Sequence, residues 1–170
     1  SKKAITALND KRFTVKAGDV SYRLINHWTE EKLFGDDREE DSKGWRKLSM
    51  VDVLWLRILR ELRAFGMPLE ALRKTRETLF SYNNKPYPAL EVAFGMALKK
   101  MPVFVAVFKD GEADIAMLEC IEFTETLSGQ MHPFIRVPIN SLVNEILGRE
   151  DGLKPEYSGK VEVDESELDA

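Results

Sequence analysis

The order of the elements predicted between residues 20 and 72 restricts the fold of this chain more than any other feature. Asp19 or Ser21 can cap a first helix that extends to about Lys32, because a short side-chain oxygen accepts hydrogen bonds from the unpaired amides of a first turn. One stripe of this helix is apolar and the rest is polar. The stripe holds Ile25, Trp28 and Leu33, whereas Tyr22, Arg23, Asn26 and Glu30 lie away from it. The helix is therefore predicted to pack through one face and to expose the other.

A small hairpin, the wing, is predicted over about residues 38–48. Residues 41–44 form its turn and residues 45–48 form its return strand. Cationic residues are interleaved with Trp45, which is predicted, like Trp55, to belong to the core rather than to stack on bases. A ribbon of this composition suits contact with the backbone or the minor groove of a nucleic acid.

Two longer helices are predicted after the wing. Ser49 and Asp52 form a capping arrangement at the start of the first helix, and Gly66 ends it. Pro68 starts the second helix, which extends over about residues 69–80. Apolar residues spaced three to four apart predict a buried face on each helix. These are Val51, Val53, Trp55, Leu56, Ile58, Leu59 and Leu62 on the first helix and Leu69, Leu72 and Leu79 on the second, while Arg57, Arg60 and Arg63 are predicted to remain outside.

A series of spaced residues in this segment matches a pattern known from one protein family. In chain order the matches are Val20-Ser21-Tyr22-Arg23, Ile25, Trp28, Leu33, Arg38, Gly44-Trp45-Arg46, Leu48-Ser49, Asp52-Val53 and Gly66-Met67-Pro68-Leu69-Glu70-Ala71-Leu72-Arg73. On these residues, the chain over about 13–80 resembles the MerR-like family of winged helix-turn-helix transcription regulators. An ordered series of matches is more specific than one short motif. The resemblance implies binding to double-stranded DNA, as a dimer on a pseudo-palindromic site.

Three departures from the family pattern change what is expected. The segment from Phe13 to Gly18 is about one helical turn short, which predicts that the first helix of the motif is truncated or replaced. Asn26 and His27 stand where the family has Arg-Tyr, so the detailed base contacts are expected to differ. Residues 82–86 interrupt the chain where the family often has a long dimer-forming helix, so the usual dimerisation helix is not evident.

The residues expected to contact DNA lie in the helix that ends at about Lys32, which is the predicted recognition helix, and in the wing. A helix fits the major groove, where the side chains of its amino-terminal half reach base edges. Arg23 could chelate a guanine, bind a phosphate, or form a salt bridge to Glu30 or another acidic neighbour. His27 could contact DNA or simply be packed. Arg46 is the preferred wing contact, although it could instead brace the hairpin against the acidic residues within 36–41. The full predicted set is Ser21, Tyr22, Arg23, Asn26 and His27 in the helix and Arg38, Lys43, Arg46 and Lys47 in the wing.

Charge is distributed unevenly along the chain. The net charge of −4 would repel phosphates, but residues 1–80 carry 17 Lys or Arg and 13 Asp or Glu, a net of +4. Residues 81–170 carry 8 and 16 of these residues, a net of −8. Only the first half therefore suits DNA. Residues 149–170, with 3 basic and 8 acidic residues, are predicted to form a disordered acidic tail.

The second half is predicted to contain a small α-β-β-β-α module. Its elements are a helix over about residues 87–100, strands at 103–108, 115–121 and 134–138, and a helix through about residue 147. Asp110-Gly111 is a strong hairpin signal between the first two strands, and Asn140 or Ser141 can cap the last helix. The chain is thus expected to be an α+β protein in three parts. These are a DNA-binding domain over 1–82, a module over 86–148 that binds a ligand, another subunit or a partner protein, and the tail over 149–170.

The sequence contains no pattern typical of an enzyme, a metal site or a cofactor site. The single cysteine, Cys120, has no Cys or His at metal-ligand spacing, and no phosphate loop or nucleophile elbow is found. No apolar run approaches the roughly 20 residues that cross a bilayer, so a cytoplasmic protein without membrane contact is expected. Two functions remain open. One is a sequence-specific transcription regulator, and the other is an architectural or adaptor protein, similar to winged-helix excision factors, that recruits a protein partner through the second module.

Overall fold

A computed structural model of the chain describes residues 2–35, 46–117 and 132–148, with side chains from residue 6 onward. In these ranges the protein mixes helices with two small antiparallel sheets, which confirms the predicted α+β class. None of the helices in these ranges has both the length and the apolar character that crossing a bilayer requires. Several predicted features lie outside the described residues. They are most of the wing, with Arg38, Lys43 and Trp45, the end of the second predicted module strand, with Cys120, and the acidic tail.

The first elements precede the predicted recognition helix. Helix α1 (Lys2–Asn9), which the sequence did not predict, is followed by strand β1 (Phe13–Thr14) and a one-turn 3-10 helix (Val15–Gly18). The single turn confirms that the first helix of the motif is truncated. Helix α2 (Tyr22–Glu30) then ends two residues before the predicted Lys32.

Strand β2 (Lys47–Leu48) is the described part of the predicted return strand of the wing. It pairs with β1 in antiparallel register, with Phe13 opposite Leu48 and Thr14 opposite Lys47. The sequence did not predict this pairing, which ties the base of the wing to the segment before the 3-10 helix.

Helices α3 (Met50–Ala64) and α4 (Leu69–Phe80) have the predicted bounds. The capping box is complete, because the amide of Asp52 donates to Ser49 Oγ at 3.1 Å and the amide of Ser49 donates to Asp52 Oδ2 at 2.9 Å. Gly66 lies between the helices with φ of +81°, a left-handed conformation that favours glycine.

The second half contains α5 (Ala89–Leu98), β3 (Phe104–Phe108), β4 (Ala113–Ala116), β5 (Phe134–Pro138) and α6 (Ile139–Ile146). The three strands form one sheet in the order β4-β3-β5, and both neighbours are antiparallel to β3. The predicted α-β-β-β-α order is therefore found in the described residues. Gly111 has φ of +92° in the β3–β4 turn, as the Asp-Gly signal requires.

The predicted cap of the last helix is wrong. The N-cap of α6 is Pro138, which offers no side-chain hydrogen bond. Asn140 instead bridges to the segment before β3, where its Oδ1 accepts from the amide of Val103 at 2.8 Å and its Nδ2 donates to the carbonyl of Met101 at 2.9 Å. Its polar groups thus hold the start of α6 against the start of β3.

Helix α3 lies at the centre of the protein. It contacts α1, the 3-10 helix, α5, α6 and β5, and its predicted apolar face is buried. The indole N–H of Trp55, a fully buried residue of this face, donates to the carbonyl of Leu33 at 2.7 Å. The Trp55 ring packs edge-on against the Phe80 ring, with 5.8 Å between the ring centroids. Buried side chains of residues 6–82 and of residues 86–148 belong to one hydrophobic cluster. The division of the chain into two folding units at residues 82–86 stays a prediction.

Candidate nucleic-acid interface

Helix α2 is positioned by its cap and by its apolar stripe. The amide of Leu24 donates to Ser21 Oγ at 3.2 Å, so Ser21, rather than Asp19, is the N-cap. Ile25 and Trp28 are buried, which turns Tyr22, Arg23, Asn26, His27 and Glu30 away from the core. The predicted division of α2 into a packed face and an exposed face is confirmed.

The exposed face of α2 brings together all five helix residues of the predicted contact set. Ser21, Tyr22, Arg23, Asn26 and His27 are exposed, and four of them line an open depression along the helix with Leu24 and Glu30; the side chain of Tyr22 lies outside that lining. Within the part of the chain that the structure describes, Arg23 forms no ion pair, so the alternative pairing with Glu30 is not found. The alternative in which His27 is packed is not found either, because its side chain is exposed. The exposed side chains of Arg23, Asn26 and His27 carry donor and acceptor groups of the kinds that contact base edges and phosphates.

The described end of the wing is held against α2 by Arg46. Its Nη1 donates to Thr29 Oγ1 at 2.9 Å, its Nη2 donates to the carbonyl of Gly35, and its Cζ lies 4.8 Å from the centre of the Phe34 ring. Arg46 is therefore half-buried and braces the wing through α2 and the segment after it. Lys47, the next residue, is exposed on β2. The acidic residues proposed as the brace lie outside the described residues.

Helix α4 supports the carboxyl-terminal end of α2. Arg73 Nε donates to the carbonyl of Glu31 at 2.8 Å, and its Nη2 lies 2.7 Å from Glu31 Oε2. Glu31 is the C-cap of α2, so two bonds to one residue fix where that helix ends. The role of Arg73 was missed by the sequence analysis, although Arg73 is the last residue of the matched family pattern.

Two arginines of α3 support the 3-10 helix that precedes α2. Arg57 Nη2 donates to the carbonyl of Ala17 at 3.2 Å, and its Nη1 lies 2.7 Å from Glu145 Oε2. Its side chain is only 14% exposed, so the prediction that it lies outside is wrong. Arg60 pairs with Asp19, and the hydrogen bond from Arg60 to that carboxylate raises the pKa of Arg60. These contacts place the loop before the Ser21 cap.

Comparison with known proteins identifies the N-terminal domain. Residues 11–79 match the model of the MerR HTH family regulatory protein. The match supports a MerR-like helix-turn-helix domain over these residues, which include α2 and its exposed face, and it supports DNA-binding transcription regulation in general. A comparison with curated proteins gave no match.

Proposed function

We propose that this protein is a sequence-specific transcription regulator that inserts α2 into the major groove of double-stranded DNA and lays its wing on the backbone or the minor groove. The observation that carries the proposal is the exposed polar face of α2, on a helix whose other face is anchored in the core. An anchored helix can present side chains to a groove without losing its own packing. The proposal assigns no catalysed reaction to the chain.

The side chains at the start of α2 provide the chemistry for reading bases. The guanidinium of Arg23 can donate two hydrogen bonds to a guanine edge, and the amide of Asn26 can pair with an adenine edge. Ser21, Tyr22 and His27 can bond phosphates or neighbouring bases. Asn26 and His27 differ from the family pattern, so the base sequence that is bound is expected to differ as well.

The wing provides the second part of the proposed contact. Lys47 is exposed on β2, and Arg38 and Lys43 are expected to add positive charge from the part of the wing outside the described residues. We place Arg46 in a double role, in which it braces the wing and contributes charge to a phosphate. Such contacts fix the position of a protein on the duplex and add affinity that falls with salt.

The proposal extends to a homodimer with a regulatory second module. A pseudo-palindromic site requires two copies of α2 about one helical turn of DNA apart. The module over residues 86–148 is proposed to join subunits, to bind a small effector or to contact a partner protein. Its shared hydrophobic cluster with the α3 and α4 helices supports a module that responds together with the DNA-binding domain.

Substitution of Arg23 tests the reading role. Recovery of genomic fragments that the protein binds would first supply a specific duplex, and fluorescence anisotropy would then compare it with a scrambled one. Arg23→Ala is expected to weaken binding to the specific duplex by about 1–3 kcal/mol and to reduce discrimination at one base position. The exposed Lys85, which is not in the contact set, provides the control Lys85→Ala, which is expected to leave both affinities unchanged.

Equal losses on the specific and the scrambled duplex would contradict the reading role of Arg23. Sedimentation of the complex would decide between the two functions left open by the sequence. Two protein chains on a symmetric site support the proposed regulator, whereas tandem asymmetric sites with a co-purifying protein would indicate the adaptor.

A further inference from the structure

An apolar groove of about 310 Å³ lies between the MerR-like domain and the sheet of the second half. One wall is the turn between α3 and α4, with Phe65, Met67 and Pro68, and the other wall comes from the neighbouring strands β3 and β5, with Phe134 and Ile135. Ligand sites are commonly apolar clefts of this size between structural units, with few polar groups. None of the described residues that are proposed to contact DNA lines this groove.

Both walls are held in place by contacts of their own. In the turn, Arg63 Nη1 donates to the carbonyl of Met67 at 2.7 Å, and the amide of Met67 donates to the carbonyl of Leu62 at 3.1 Å. In the sheet, Ile135 is paired with the fully buried Val107. The groove is therefore already formed in the absence of a ligand, which lowers the free-energy cost of binding.

The described lining of the groove includes one charged side chain. Among the described side chains that line it, the ionisable one is that of Lys109, an exposed residue directly after β3. An occupant that matches both features has a flat apolar body for the walls and a negative group for the ammonium. Phe65 adds an aromatic ring that is 69% exposed and available to cover such a body.

We propose that this groove binds a small aromatic carboxylate and that occupancy changes the affinity for DNA. The inference of regulation rests on the proposed function, whereas the inference of binding does not. A ligand in the groove would touch Pro68, the N-cap of α4, and the same helix holds the end of α2 through Arg73. Movement of α4 on binding would therefore reach the recognition helix.

Methionine-methyl NMR of the full chain tests the binding step in the absence of DNA. Met67 lines the groove, while Met96 and Met101 do not, so protein labelled with ¹³C at the methionine methyl groups carries internal controls. Titration with 1-naphthoate is expected to shift the Met67 signal, assigned with Met67→Leu, and to leave those of Met96 and Met101 in place. Neutral 1-naphthamide, of the same shape, is expected to bind at least fivefold more weakly.

Four variants separate the two features of the groove. Lys109→Gln is expected to weaken binding of 1-naphthoate at least fivefold and that of 1-naphthamide less than twofold. Phe65→Ala is expected to weaken both ligands without loss of stability, because the ring is exposed. The matched controls Lys85→Gln and Tyr82→Ala remove an exposed cation and a 60% exposed ring outside the groove, and are expected to bind as the wild type does.

Several results would overturn the binding proposal. They are an unmoved Met67 signal at millimolar 1-naphthoate, equal shifts at Met101, or unchanged affinity in Lys109→Gln. The Met67 signal could instead move when the protein is diluted in the absence of a ligand. If Phe65→Ala abolishes that movement, the groove is assigned to a second copy of the chain. If 1-naphthoate binds, a change of at least threefold in affinity for the specific duplex supports regulation, and an equal affinity overturns it.

Discussion

At the scale of single residues, two glycines with similar backbone conformations have different neighbours. Gly66 and Gly111 have φ of +81° and +92°, values that other residues adopt at a cost. A Cβ on Gly66 would meet nothing within 4 Å, whereas a Cβ on Gly111 would lie 2.1 Å from the carbonyl oxygen of Ala71. The β3–β4 turn is thus packed directly on the backbone of α4, and Thr75 Oγ1 donates to the carbonyl of Gly111 at 2.9 Å.

Gly111→Ala is expected to reduce the free energy of unfolding by about 3 kcal/mol or more, because an overlap between backbone atoms adds to the cost of the left-handed conformation. Gly66→Ala, with the conformational cost alone, is expected to lose about 1 kcal/mol. Urea denaturation of both variants measures the difference. Equal losses would mean that the β3–β4 turn can move away from α4 without consequence.

At the scale of elements, the base of the wing and the end of α2 are joined by a few polar contacts. Arg46 connects the chain before β2 with Thr29 of α2, and Arg73 connects α4 with Glu31. A recognition helix must hold its orientation to within a fraction of a turn, because its side chains reach only specific base edges. We therefore expect these contacts to set the geometry of DNA binding as well as the stability of the domain.

Arg46→Gln is expected to weaken binding to every duplex and to lower the salt slope by about 1, if its charge reaches a phosphate. Thr29→Val removes the hydroxyl that accepts from Arg46 but keeps the charge, so its salt slope is expected to equal that of the wild type. Anisotropy titrations over a range of salt concentrations measure both slopes. A wild-type slope in Arg46→Gln, with equal affinity losses in the two variants, would reduce Arg46 to a brace.

At the scale of the whole molecule, the second half is attached to α4 by the β3–β4 turn. Lys74 Nζ lies 2.9 Å from Glu112 Oε1 and 3.3 Å from Asp110 Oδ2. Hydrogen bonds to Glu112 and Asp110 raise the pKa of Lys74, and the backbone amide of Glu112, with a smaller contribution from Lys74, lowers the pKa of Asp110. These charges lie beside the tight contact at Gly111, on the surface between the two halves.

The pH dependence of this attachment follows from the two shifts. The contribution of Asp110 is present above its unfolded pKa of 3.8 and is lost as the pH falls through its lower folded pKa. The contribution of Lys74 is present below its unfolded pKa of 10.5 and is lost as the pH rises through its higher folded pKa. The difference in urea midpoint between the wild type and Lys74→Gln is therefore expected to be largest between pH 3.8 and pH 10.5 and to shrink at more acid and more alkaline pH.

Because these groups are exposed, solvent and salt screen them and the difference is expected to be small. Measurements at low ionic strength, at about pH 3, 7 and 11, give the best resolution. Lys85→Gln, at an exposed site that forms no ion pair with the described residues, serves as the reference. A difference between wild type and Lys74→Gln that stays constant from acid to alkali would contradict the electrostatic attachment.

Local signals in the sequence determined much of the fold. The Ser21 cap, the Ser49–Asp52 capping box, and the glycine before Pro68 act between residues within a few positions of each other, so their energies depend little on the rest of the chain. Hydrophobic periodicity gave the buried face of α3 and the exposed face of α2 for a similar reason, since a helix repeats every 3.6 residues wherever it packs.

Only the tertiary structure decided which distant residues meet. The pairing of β1 with β2, the bonds from Arg73 to Glu31, and the burial of Arg57 join residues that are far apart in the sequence, and no local pattern encodes such partners. Asn140 shows where local prediction fails. Asparagine has a strong capping preference, yet the side chain of Asn140 is hydrogen-bonded to Val103 and Met101 instead. Its side chain has the same hydrogen-bonding groups in either role, and the packing of α6 against β3 selected between them.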